Sequence, residues 1–224
     1  MTPFRRRGTR SKMRRYCPDE VQLRIAAKAL SLAVVMGAVV VMAGWIFDIG
    51  VLKSVSPGWV TMKFDTAVAF ILSGITLFFI ARSAEGKVDQ AQFVLSVTTL
   101  AIVLLMGTLL FANILGVRTG LEELFVKDAA VSAGSVVPGR PSIPTMLNFL
   151  LIAFAGLSTV LDAKREHPRR RTIGVTVGLI GAAAIAGYVF RVPVLYFYVP
   201  GVNSAMAVHT AFLFVMLGSG LSCL

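Results

Sequence analysis

Six long apolar runs constrain the fold of this chain more than any other feature. A helix rises about 1.5 Å per residue, so about 20 apolar residues cross the roughly 30 Å hydrocarbon core of a bilayer. Inside hydrocarbon every backbone amide needs an internal partner, which makes such runs helical. The runs lie at 29–49, 64–81, 93–116, 143–161, 173–190 and 205–224.

The composition agrees with these runs. Hydrophobic residues make up 56% of the chain and charged residues only 15%, and a soluble domain of this size could not bury so much apolar surface. We therefore predict an all-α polytopic membrane protein with six transmembrane helices. The basic tail is expected at 1–28 and the membrane domain at 29–224.

The basic residues are distributed unevenly between the two sides of the predicted membrane domain. The tail, the 82–89 turn and the 162–171 turn together hold 16 Lys and Arg against 6 Asp and Glu; the other loops hold 6 against 5. Basic loops stay in the cytoplasm, so both termini are predicted there.

The net charge of +11 raises the question of a nucleic-acid partner. A basic tail beside a first membrane helix more often attracts anionic lipid, so the bilayer is the expected partner and nucleic acid is not. A signal anchor is favoured over a cleaved signal peptide. Cys17 and Cys223 are predicted near the reducing cytoplasmic face, and no cofactor, metal site or catalytic constellation is expected.

An internal repeat links three of the runs. "DTAVAFILSGITLF", "PTMLNFLLIAFAGL" and "HTAFLFVMLGSGLS" align without gaps and share a threonine, a phenylalanine four residues later, and a small residue after four more. This pattern predicts three helical hairpins, at about 29–81, 93–161 and 173–224. The shared residues are Thr66, Phe70 and Gly74; Thr145, Phe149 and Ala153; and Thr210, Phe214 and Gly218.

Residues spaced by four lie along one stripe of a helix, where a small residue allows a neighbouring helix to approach closely. The fifth run carries a second small-residue stripe that includes Gly174 and Gly178. Two interpretations are open for these stripes: helix packing, which we favour, or a ligand role. Asn113 and Asn148 are likewise expected to face the bundle and to bond across helices.

The segments "MKFDTAVAFILSG", "VPGRPSIPTMLNFLLIA" and "GVNSAMAVHTAFLFVMLGSG" resemble the MASE-like multi-pass sensor regions of bacterial signalling proteins. Those regions precede histidine-kinase, PAS or GGDEF (diguanylate-cyclase) modules. The resemblance covers nearly the whole chain after the tail. It implies a location in the bacterial inner membrane, a sensory role, a homodimer and a cytoplasmic kinase or cyclase output domain.

The sequence departs from that pattern in two respects. Asp65 stands where the family has Asn, and Pro141 and Pro144 stand where it has Met and Asn, with Met146 in place of Ala. In addition, no transmitter motif follows the last apolar run. We expect the chain to act on an output domain or a partner that lies outside this sequence.

The candidate ligand residues lie at the predicted periplasmic mouth. Asp65 and His209 occupy equivalent repeat positions, so they are interpreted either as a titrating sensor pair or, more readily, as unrelated polar residues at helix starts. A predicted amphipathic segment carries Glu122 and Glu123. One interpretation is that this segment lies on the membrane surface. The other is that it forms a lid over a cavity, closed by Arg140.

Arg191 lies within "VFRVPVLYFYVPG". Its aromatic neighbours predict an interface belt, although they would equally suit a hydrophobic ligand pocket.

The predicted function is a non-enzymatic membrane input module of a signal-transduction protein, such as a two-component system. It relays a periplasmic or membrane signal to a cytoplasmic output. One alternative is a non-catalytic subunit or scaffold of a larger membrane complex. A small transporter ranks third, because transporter repeats are usually inverted and carry charges near the membrane midplane.

Overall fold

A computed structural model describes residues 18–54, 59–85, 88–117, 119–120, 139–161, 168–197 and 204–224. Within these ranges all regular structure is helical, as predicted. The α-helices are α1 (Pro18–Ile46), α2 (Gly50–Lys53), α3 (Phe64–Ser83), α4 (Val88–Leu115), α5 (Ile143–Leu161), α6 (Pro168–Phe190) and α7 (Val208–Ser222). A short 3-10 helix, Pro193–Tyr196, lies between α6 and α7.

Five of these helices, α1, α3, α4, α5 and α6, are long and apolar enough to cross a membrane. The structure therefore supports a helical membrane protein. The helix at the predicted sixth span, α7, is shorter than expected. α7 has 15 residues and extends about 22 Å, less than the roughly 30 Å hydrocarbon core. Residues 205–207, which begin the predicted run, are not helical; the Met206 amide donates to Tyr196 O (3.0 Å) instead.

Three helices begin earlier than their apolar runs predicted. α1 begins at Pro18, α4 at Val88 and α6 at Pro168. The added first turns contain polar and basic residues, which a hydropathy pattern misses but which form helix readily. The part of the predicted tail from Pro18 to residue 28 therefore belongs to α1, whereas residues 1–17 lie outside the described part of the chain.

The helices form an inner and an outer group. In the most apolar stretches of α3 and α5, 61% and 50% of the residues are buried, whereas the values for α1, α4 and α6 are 28%, 33% and 33%. One side of α7 is also buried, from Thr210 to Leu221. The repeat-bearing helices α3, α5 and α7 thus form the core of the bundle.

The packing between the two groups follows a cyclic order. Each outer helix packs against the inner helix that follows it in the chain: α1 on α3, α4 on α5, and α6 on α7. Each also contacts a second inner helix, α1 reaching α7, α4 reaching α3, and α6 reaching α5. The same relation is repeated three times around the bundle.

Small residues permit these close approaches. A Cβ added to Gly74 would lie 2.6 Å from Val35 Cγ2 on α1. A Cβ on Gly218 would lie 2.5 Å from the carbonyl oxygen of Gly174 on α6. Ala153, at the corresponding position of α5, is 1% exposed. At Gly74 and Gly218 the neighbouring helices touch, and a larger side chain at either position would separate them.

Candidate functional site

The three repeat phenylalanines meet at the centre of the bundle. Phe70, Phe149 and Phe214 are each fully buried. Their ring centroids are separated by 4.7 Å (Phe70–Phe149), 4.7 Å (Phe70–Phe214) and 4.9 Å (Phe149–Phe214). Aromatic pairs at such distances attract beyond their burial of apolar area. The cluster joins the three inner helices at one level.

A small polar cavity lies at the N-terminal end of the inner helices, and we name it the axial cavity. Its volume is about 10 Å³, roughly the space that one water molecule needs. The three repeat threonines, one turn before the phenylalanines, all line it. The lining residues are Val60, Thr61, Met62, Lys63, Thr66, Arg140, Pro141, Ser142, Thr145, Ser204, Ala205, Ala207 and Thr210.

The repeat extends beyond the helices into the segments that precede them. Three residues before each repeat threonine stand Lys63, Ser142 and Ala207, and five before stand Thr61, Arg140 and Ala205. All six line the axial cavity. Lys63 and Ala207 are extended N-cap residues of α3 and α7. The three equivalent backbone segments therefore line the cavity with different side chains.

Two of those side chains are basic and buried. Arg140 is 4% exposed and Lys63 is 5% exposed. The Arg140 guanidinium donates to Asn113 Oδ1 (3.2 Å) and to the carbonyl oxygen of Val117 (2.7 Å), which ties the end of α4 to the segment before α5. The partial positive charge of three helix N-termini adds to these cations.

Other polar groups lie in or near the same turns. Asp65, in the first turn of α3, is 2% exposed but is not among the residues that line the cavity. Ser142 Oγ and Thr145 Oγ1 share a hydrogen bond of 2.7 Å. Thr61 Oγ1 is buried without a hydrogen-bond partner among the described residues. The cavity therefore suits a water molecule or another small polar species.

Aromatic side chains hold two of the extended segments in place. Tyr188 Oη donates to the carbonyl oxygen of Met206 (2.7 Å), and Trp45 Nε1 donates to that of Met62 (2.8 Å). Tyr188 stacks on Tyr196, with centroids 4.4 Å apart, and also contacts Trp59. The sequence suggested an interface belt that includes Tyr188 and Tyr196. In the structure Tyr188 and Trp45 hold backbone segments beside the axial cavity.

The sequence-predicted site residues are separated in the structure. Arg140 lines the axial cavity, whereas Asp65 is buried in the first turn of α3 and is not among the lining residues. His209 lines a different groove, between α1 and α7. Arg191 is exposed at the end of α6, with a left-handed φ of 55°. The acidic pair Glu122 and Glu123 lies outside the described residues.

Sequence reasoning missed Lys63. Its position three residues before Thr66 was visible, but nothing local indicated that a lysine there would be buried. The prediction for Asn148 was wrong in part: it is fully buried, but neither side-chain amide atom has a hydrogen-bond partner in the described part of the chain. Asn113 accepts a hydrogen bond from Arg140, which lies in the segment before α5 and not in a second helix as predicted.

Neither metal-ligand chemistry nor similarity to known proteins assigns a ligand to the site. Among the described residues no three His, Cys, Asp or Glu side chains are grouped closely enough to hold a metal ion. Comparison with protein-family models, with curated proteins and with solved structures finds no match to this chain. The resemblance to MASE-like sensor regions therefore stays a prediction.

Proposed function

We propose that this chain is the membrane-embedded input module of a bacterial signal-transduction protein. It consists of six helices in three repeated hairpins around a pseudo-threefold axis, with both termini in the cytoplasm. The meeting of the three repeat threonines and three repeat phenylalanines on that axis carries the proposal. Such an arrangement makes one point of the bundle sensitive to all three hairpins.

The axial cavity is the proposed input site. A small polar species held there would contact α3, α5 and α7 together. It could favour one packing of the three helices only by binding that packing more tightly than another. Arg140 is the residue through which such a change would reach α4, because its guanidinium bonds to Asn113 and Val117.

The opposite end of the bundle offers a route to the cytoplasm. There Arg24 donates to the carbonyl oxygen of Ala84 (2.9 Å) and Lys28 pairs with Glu85 (2.5 Å). These contacts join α1 to the end of α3. A shift of α3 would thereby move α1 and the basic tail, which is the proposed output to a kinase or cyclase domain or to a separate partner.

The experiment that tests the role begins with the mass of the native polypeptide in its source cells. A product heavier than 24 kDa that carries a cytoplasmic effector would support the input module. In that protein, Arg140→Ala should change the effector's output, and Arg191→Ala, at an exposed position, should leave it unchanged. An effector whose output is the same in both variants and in the parent would remove the axial cavity from the proposal.

The alternative is a structural subunit of a larger membrane complex. It is favoured by the apolar outer face of α4, where Phe93, Phe111 and Ile114 are 73%, 63% and 72% exposed. Lipid would cover this face equally well. Co-purification of a stoichiometric integral membrane partner that carries no kinase or cyclase domain, with a native chain of 24 kDa, would support the subunit and contradict the input module.

A further inference from the structure

Each repeat threonine is the third residue of its helix: Thr66 in α3, Thr145 in α5 and Thr210 in α7. The backbone amides of the first helical residues have no partner within the helix, and a side chain at the N-cap usually accepts from one of them. The N-caps of α3 and α7 are Lys63 and Ala207, and neither helix has a side-chain cap. Two helix ends therefore reach the axial cavity without a cap.

The hydroxyls of two repeat threonines also have no hydrogen-bond partner among the described residues. Thr66 and Thr210 are each 2% exposed, and both line the axial cavity. Thr61 Oγ1 is an unpartnered atom that is fully enclosed, whereas the Thr66 and Thr210 oxygens are not enclosed in this way. A buried hydroxyl without a partner is costly, so an acceptor in the cavity would satisfy two such groups together.

The charged side chains that line the cavity are both cations. They are Lys63 and Arg140, and no Asp or Glu of the described chain joins them in the lining. Asp65 is the one carboxylate residue that is buried in the described part of the chain, and it offsets one of the two cations. A buried charge is costly unless a counter-charge lies near it. A single monovalent anion would bring these three side chains to neutrality, and the positive helix N-termini also favour an anion.

The size of the cavity decides which kind of anion fits. Its volume of about 10 Å³ is roughly the space of one water molecule. A carboxylate, phosphate or sulfate has several heavy atoms, so it would enter only if the inner helices moved apart. A monatomic anion is close to a water molecule in size, and the halides accept hydrogen bonds from hydroxyl and amide donors.

We propose that the axial cavity binds a single halide ion, physiologically chloride. The hydroxyls of Thr66 and Thr210 donate to the ion, and Lys63 and Arg140 supply the positive charge that holds it. This assignment deepens the proposed function and rests on it for its consequence, namely that chloride is the species that links α3, α5 and α7. The binding itself is measurable without an output domain.

The test is thermal unfolding of the full chain in detergent while sodium chloride or sodium bromide replaces sodium gluconate at constant ionic strength. Gluconate is too large for the cavity. The Tm should rise along a saturable curve as either halide is added, because a ligand that binds only the folded state stabilises it. No rise, or a rise that does not saturate, would overturn the proposal and leave water as the occupant.

An isosteric double variant tests the location. Thr66→Val combined with Thr210→Val keeps the shape of both side chains and removes the two hydroxyls. The halide concentration at the midpoint of the Tm curve should rise about tenfold or more, since hydrogen bonds to an ion are among the stronger ones. In gluconate the variant should be at least as stable as the parent, because two unpartnered buried hydroxyls are lost. That result separates loss of halide binding from misfolding.

The matched control is Thr176→Val. The Thr176 hydroxyl is exposed on α6 and donates to Thr172 O (2.9 Å), so this variant should keep the midpoint of the parent. Equal midpoints in the parent and in the double variant would contradict the proposal. If the double variant fails to fold, crystals of the parent grown with sodium bromide locate the ion by anomalous scattering. The peak should lie between Thr66 and Thr210, and a peak found only elsewhere would refute the axial site.

The halide and the input role fail in different ways. If Arg140→Ala changes the output of an effector-bearing protein that binds no halide, the axial cavity stays the input site and the halide is refuted. If the protein binds a halide that has no effect on output, the binding site stands and the input role is contradicted.

Discussion

Phe70 and Phe149 lie edge to face in the centre of the bundle, with ring centroids 4.7 Å apart and planes at 71°. They stand at the same position of two copies of the internal repeat, and Phe214 of the third copy contacts both rings. The phenylalanine cluster thus joins three parts of the chain that are far apart in the sequence. The stability of the bundle should depend strongly on this cluster.

Phe149→Ala is expected to destabilise the protein by about 3–5 kcal/mol, because it leaves a cavity where three rings meet. The control is Phe154→Ala in the same helix, where the phenylalanine is 52% exposed and the loss should be small. Thermal unfolding in one detergent at a fixed protein concentration measures both variants. Similar Tm values for the two would mean that the cluster does not hold the bundle together.

Two glycines at the contact between α6 and α7 should respond differently to substitution by alanine. A Cβ at Gly218 would lie 2.5 Å from backbone atoms of Gly174 and Gly178, whereas a Cβ at Gly178 meets nothing closer than 3.8 Å. We expect Gly218→Ala to cost about 1–3 kcal/mol through overpacking and Gly178→Ala to be nearly neutral. Unfolding of the two variants in parallel checks this, and the reverse order would disprove this register of α6 on α7.

Arg140 should stabilise the junction between α4 and α5. Arg140→Met keeps much of the side-chain length but removes the bonds to Asn113 and Val117. A hydrogen bond to a charged group contributes about 1.5–3 kcal/mol, and the expected loss is at the lower end of that range because Val117 is 52% exposed. Arg191→Met, at an exposed position, should change stability little. Hydrogen exchange of the amides at 113–117 should rise in the first variant alone; unchanged exchange there would show that the junction is held by other contacts.

The proposed topology predicts which loops face the cytoplasm. Reporter fusions after residue 85 and after residue 161 should report the cytoplasm, and fusions after 54, 117 and 191 should report the periplasm. Alkaline phosphatase activity paired with cytoplasmic fluorescence of matched fusions distinguishes the two sides. If α7 fails to cross, a fusion after Leu224 would report the periplasm, and the sixth span and the cytoplasmic C-terminus would both be wrong.

Much of the helical architecture was predictable because it depends on local interactions. The apolar run at 143–161 predicted α5 with the bounds observed, Ile143–Leu161, since backbone hydrogen bonding and hydropathy act over a few turns. Even here the polar first turns of α1 and α6 escaped prediction. The start of α7 at Val208 also escaped prediction, because a backbone hydrogen bond from Met206 to Tyr196 keeps the preceding residues extended.

The sequence by itself determined that three helices carry Thr66, Phe70 and their counterparts on one stripe, because a helix repeats its face every three to four residues. Only the tertiary structure decided that the three stripes face one another and that Lys63 and Arg140 are buried at their end. It also decided that His209 turns away into a groove with Gly37. These outcomes depend on how separate helices pack, and the order of residues within any one helix does not contain that information.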